Sequence, residues 1–247
     1  MRLGARPDTI KFGMSEQAII LKIFQFVILV FSLSLHEAAH AWMASRLGDQ
    51  TARMLGRVTL NPAKHIDPVG TILIPLAMLF FPGFGRFLIG WAKPTPVNTR
   101  NFKNIRRDDM LVTLAGPTSN LLAALGATIA LLVLSHSTQA GALAVRQVIT
   151  GMIDPDLMAA SLVVFPMAII FYLGLVLNLF LAVFNMLPLP PLDGSHLVRH
   201  MLPYNALRIY DRLGMISLIL MLFLGAPLVN FFVSPALNLI NYILLSV

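Results

Sequence analysis

The sequence contains no cysteine. Disulfides, thiolate metal ligands and cysteine nucleophiles are therefore excluded, and any metal must be held by histidine, carboxylate or water. Charge is also scarce: charged residues fill 12% of the 247 positions, about half the share usual in a soluble domain. Acids are the scarcer sign, with 11 Asp and Glu against 18 Lys and Arg. An acidic side chain inside an apolar run therefore needs an explanation. There is no internal repeat, low-complexity linker or separate soluble domain in the sequence. That removes repeat scaffolds and counts against a transporter built from two related halves.

What is present is apolar: 57% of residues are hydrophobic and the mean hydropathy is +0.79. Long runs of this kind predict an all-α polytopic membrane protein, a single integral-membrane domain over 1–247 with about five to six membrane segments. The net charge of +7 gathers in connecting segments, chiefly at Lys93, Arg100, Lys103, Arg106 and Arg107. Basic loops of this kind face the cytoplasm and anionic lipid headgroups, so the bilayer is an expected partner and nucleic acid is not. Residues 1–13 are polar and basic, and the apolar run after them continues unbroken. It reads as a retained span and not as a cleaved leader.

Taken in order, the pattern predicts a helix over 16–46, stopped at Gly48-Asp49. Residues 51–62 become β-branched before Asn61-Pro62 and predict a short membrane-associated strand or hairpin. An apolar insert over 69–91 turns at Pro82-Gly83, and a basic loop follows. A second core helix covers 110–134, with Asn120 as a buried polar group that needs a partner, in helix packing or in a site. A connector over 135–156 leads to the third core helix, 161–194. Pro188, Pro190 and Pro191 unwind its end and leave Asp193 near membrane depth. The tail over 205–247 opens with an amphipathic stretch and holds one or two membrane segments, interrupted at Gly225-Ala226-Pro227.

Chemistry enters with His36-Glu37-Ala38-Ala39-His40, set into the end of the first apolar helix. Residues four apart share a helix face, so the two imidazoles can hold one ion while the glutamate projects beside them as a general base. The competing reading is a helix end at the headgroups. Three ionisable groups in five residues at that depth favour a site, and a site requires a further ligand elsewhere. Asp193 is the candidate, since two histidines and one carboxylate leave the fourth tetrahedral position open, as catalytic zinc requires.

These residues together resemble the site-2 proteases, a family of zinc metalloproteases that cut peptide bonds within or beside the membrane. The resemblance rests on His36-Glu37-x-x-His40, on Ala115-Gly116-Pro117 with Asn120, and on Asn185-x-x-Pro188-x-x-x-Leu192-Asp193-Gly194, in the family's order. It covers roughly 33–196 and matches a small form without PDZ or CBS domains. It implies one zinc ion per chain, held by His36, His40 and Asp193, with Glu37 as catalytic acid/base. It further implies that Asn185 binds the substrate backbone or the developing oxyanion. More weakly, Asn120 and the strand with Val58 and Thr59 would contact a substrate that adds as an extra strand. The expected substrate is a single-pass or membrane-anchored protein, in a multi-pass protein of a prokaryotic cell membrane.

For His36, His40 and Asp193 to meet, the second core helix must start on the side where the first one ends. The 69–91 insert must then return to its own side as a re-entrant helical pair. Other histidines have simpler readings. His65 beside Asn61-Pro62 reads as structural, and His196 with His200 as interfacial in place of a second metal pair. Adjacent Ser195-His196 cannot form a serine dyad, and Tyr210-Asp211 lacks a second intramembrane aspartate. Two other functions stay open on sequence: a membrane metal-ion transporter using the same cluster, and a protein that binds membrane segments without cutting them. The first should show polar residues strung along a path, and the second has no use for Glu37.

Overall fold

The computed structural model describes residues 16–80, 90–152, 154, 161–212 and 214–246. Helix α1 runs over Glu16–Leu47 and closes where Gly48 takes a φ of 115°, a left-handed value that suits glycine. A single turn, α2 (Thr51–Met54), follows. A π-helical turn over Pro68–Leu73 leads into α3 (Ile74–Phe80), and the chain then reaches α4 (Ile105–Ser137) and α5 (Gln139–Thr150). The last four helices are α6 (Val164–Asn185), α7 (Asp193–Arg199), α8 (Tyr204–Arg212) and α9 (Gly214–Leu245).

Three helices among the described residues are long and apolar enough to cross a membrane: Ala18–Leu47, Ile105–Ser137 and Val164–Asn185. They pack on one another, α4 most extensively against α6 and then against α1. Leu131, Phe165 and Leu175 form the centre of the main apolar cluster, and Val233 and Leu244 of α9 close it from the far side. A smaller cluster joins Leu29 and Leu33 of α1 to Met78 of α3, Ala92 and Leu181 of α6. The tail is one helix with Pro227 and Pro235 inside it, without a break at 225–227.

Two expectations are corrected. No strand occurs among the described residues, and the hairpin expected over 51–62 is replaced by α2, a turn and a short 3-10 segment, Pro62–Lys64. The physical reason lies in where the amides go. Arg57 N donates to Ala52 O, Thr59 N to Arg57 O and Asn61 N to Thr59 Oγ1, so the alternate amides along one edge of the segment are used locally and do not pair with a neighbouring strand. Likewise the 135–156 connector contains α5, capped where the Thr138 side chain accepts from Gly141 N and closed by the left-handed Gly151.

The 69–91 insert begins as a helix, capped by Asp67, whose carboxylate accepts from Val69 N and Gly70 N. Its two ends meet: Trp91 N donates to Gly70 O at 3.2 Å and Thr71 Oγ1 to Trp91 O at 2.7 Å. The expected turn at Pro82-Gly83 lies outside the described residues. Beyond Trp91 an extended strap reaches 98, pinned by Lys93 N to His65 O at 2.8 Å. At its far end Asp49 accepts from Asn98 N at 2.7 Å and Asn101 Nδ2 at 2.8 Å, while also holding Thr51 Oγ1 at 2.6 Å. Thus one buried carboxylate ties the end of α1 to the strap.

Candidate metal centre

His36 and His40 sit one turn apart on the α1 face turned towards α4, and both are buried. Each ring is fixed from behind. His36 Nδ1 lies 2.6 Å from Asn120 Oδ1 of α4, and His40 Nδ1 lies 2.7 Å from the Val112 carbonyl. Both partners accept only, so each Nδ1 carries the proton and each Nε2 is left with a lone pair. The two Nε2 atoms point to the same place, 3.0 Å apart.

Asp193, first residue of α7, enters from the other side. Its Oδ2 lies 3.0 Å from His36 Nε2 and 3.3 Å from His40 Nε2. That oxygen is buried and accepts no hydrogen bond. With both imidazoles neutral, three lone-pair donors converge on one point, an arrangement that favours a cation between them. The donor set fits a metal ion, and one nitrogen from each histidine with one carboxylate oxygen lies within reach of it. Space is kept by Gly116 of α4. A Cβ built on it would lie inside contact distance of His40 Nε2 and His36 Nε2, so any side chain there would press on the ligand atoms themselves.

Two further contacts place the partners of this cluster. The strap lies across α1, and Thr95 N donates to Glu37 Oε2 at 2.7 Å while Thr95 Oγ1 donates to the Glu37 carbonyl at 3.0 Å. Pro94 and Pro96 flank Thr95 and have no N–H, so its amide is the one donor in that stretch. Helix α7 is held against α4 by His200 Nε2 and Asp109 Oδ2, 2.7 Å apart.

The remaining predicted residues lie apart from the ligand atoms. Asn185 turns back on its own helix, its Nδ2 donating to Leu181 O at 2.9 Å. Val58 lines an open groove of about 490 Å³ with Trp42, Arg46 and Arg53, and Thr59 O accepts from His65 Nε2 at 2.9 Å. Sequence reasoning missed Thr95, and the Pro-Thr-Pro pattern is the signal that marks it. It also missed Asn178 of α6, within hydrogen-bond reach of Asn120.

Comparison with known proteins decides the family. The profile of peptidase family M50 matches residues 24–226, which include every residue of this cluster. The chain belongs to peptidase family M50. Within it, the chain is 42% identical over 177 residues to "Putative zinc metalloprotease YwhC" of Bacillus subtilis, covering 72% of this chain and 68% of that one. It is 31% identical over 167 residues to "Putative zinc metalloprotease Rip2" of Mycobacterium tuberculosis, covering 66% of this chain and about half, 51%, of the relative. A match to the Rip2 of Mycolicibacterium smegmatis is 35% identical over 95 residues, 38% of this chain and 34% of that protein. No solved structure matches the chain. As an M50 peptidase with apolar helices, this bacterial-type membrane protein is a zinc metalloprotease.

Proposed function

We propose that the protein is an intramembrane protease in which His36, His40 and Asp193 hold one zinc ion and Glu37 is the general base and acid. The observation that carries this reading is the convergence of His36 Nε2, His40 Nε2 and the unpartnered Asp193 Oδ2 beside two apolar helices of membrane-spanning length. When bound, zinc supplies Lewis acidity that activates water and polarises the scissile carbonyl. Glu37, the residue after His36 on α1, takes the proton from the attacking water and hands it to the leaving amine. The Thr95 amide holds one of its carboxylate oxygens, which fixes the side chain's direction.

Asn185 binds the substrate backbone or the developing oxyanion once released from Leu181 O, and Asn120 acts on His36 in preference to substrate. Val58 and Thr59 border the approach along α1, by way of the groove beside Trp42. The substrate is a single-pass or membrane-anchored protein, cut in a multi-pass cell-membrane enzyme. The insert over 69–91 enters and leaves on one side of the bilayer, a reading supported by the hydrogen bonds between its ends. The test is cleavage of a model transmembrane peptide in proteoliposomes by the parent and by Glu37→Gln. Loss of about 10²–10⁴-fold in rate with zinc retained is expected. Equal rates would remove Glu37 from the chemistry, and zinc without cleavage in either protein would favour a transporter or a non-cleaving binder.

A further inference from the structure

The tautomer of His36 depends on the way Asn120 faces, and an asparagine amide can face either way unless its surroundings choose. Asn120 is completely buried, between α1 and α6. On the α6 side stands Asn178, itself buried, whose Nδ2 donates to Gly174 O at 2.8 Å. A backbone carbonyl accepts only, so this bond sets the Asn178 amide with its nitrogen towards Gly174 and its Oδ1 towards Asn120. Asn120 must then present its own nitrogen, 2.8 Å from Asn178 Oδ1 and 3.3 Å from Ser32 O. Only its Oδ1 is left for His36.

We infer that Asn178 is a positioning residue for the metal centre: through Asn120 it forces His36 to keep its proton on Nδ1 and to offer Nε2 to zinc. The chain of bonds starts from a main-chain carbonyl that cannot reverse and ends on a ligand atom, passing from α6 through α4 to α1. If the Asn120 amide were free to turn, it would present N–H to His36 Nδ1. The proton would then move to Nε2 and block the ligand lone pair. Groups that orient a zinc-bound imidazole in this way typically change metal affinity when removed, and a relay one residue further back acts by the same route.

The inference rests on His36 being a zinc ligand, and the test separates the two claims. Zinc affinity is measured by chelator competition on the detergent-solubilised full chain, for the parent, Asn178→Leu, Asn178→Ser, Asn120→Leu and the Asn120/Asn178 double leucine variant. Asn178→Leu is expected to weaken zinc binding about 10- to 100-fold. Asn178→Ser, whose hydroxyl donates to Gly174 O and accepts from Asn120, is expected to recover most of the loss. The double variant should bind no more weakly than Asn120→Leu alone, because the two residues act in series.

Unchanged affinity in a folded Asn178→Leu, or a double variant whose losses add, overturns the relay. Should Asn178→Leu fail to fold, the zinc-loaded parent decides through its asparagine side-chain NMR signals. Slow solvent exchange of the Asn120 NH₂ protons upholds the link, and exchange as fast as that of an exposed asparagine overturns it. A parent that binds no zinc fails the ligand reading itself, whatever the variants do.

Discussion

Gly116 occupies a position on α4 where a side chain would meet both ligand nitrogens, so its substitution tests the site without touching a ligand. Gly116→Ala is expected to keep the helix, since alanine favours it, and to lose zinc by at least about 10-fold because the new methyl occupies space between the imidazoles. Zinc analysis alongside circular dichroism checks this. Normal zinc in a folded variant would show that the metal lies elsewhere. At this scale the meeting of His36, His40 and Asp193 was legible in the sequence, because ionisable groups in apolar surroundings need one another. Gly116 stands in the sequence only as part of the Ala115-Gly116-Pro117 pattern, and that it faces a pair of histidines is visible only in the structure. Thr95 was missed, because the flanking prolines mark its amide as a lone donor without saying which acceptor it meets.

Among elements, the strap and the end of α1 depend on Asp49. Burial works against its charge, but donors from Thr51, Asn98 and Asn101 outweigh that and lower its pKa below the usual 3.8. The sign follows: a carboxylate with a lower pKa in the folded state stabilises the fold above about pH 3.8, and that contribution is lost as pH falls through the folded value. The strap should therefore loosen on acidification. Hydrogen exchange at 93–101 is expected to rise below that pH in the parent, and already at neutral pH in Asp49→Ala, with a stability loss of about 2–4 kcal/mol. Protection that does not change with pH or substitution would remove Asp49 as the anchor. The strand expected over 51–62 was illegible for a related reason. β-branched residues give a local preference, but a strand needs a neighbour, and here the amides of Arg57, Thr59 and Asn61 turn inward on their own segment.

For the molecule as a whole, one geometric demand links the sequence to the fold: residues 36, 40 and 193 must reach one point. That demand requires both ends of the 69–91 insert on one side of the bilayer, and the hydrogen bonds of Trp91 to Gly70 and Thr71 bring those ends together without fixing where the bilayer lies. Membrane-impermeant labelling of single cysteines at 66 and 98, in a chain with none of its own, is expected to modify both from the same face. Labelling from opposite faces would break the topology that brings Asp193 to the histidines. Composition was enough to predict a helical membrane protein, since apolar runs of this length have few other solutions. It did not fix how many segments cross, because Gly225-Ala226-Pro227 was expected to interrupt a helix that runs on through it. The account depends most on the ligand set, so the deciding measurement is the zinc content and affinity of the purified parent, Glu37→Gln and Asp193→Ala. One tightly held zinc per chain in the first two and its loss from Asp193→Ala is the predicted result; equally tight zinc in all three, or none in the parent, would contradict it.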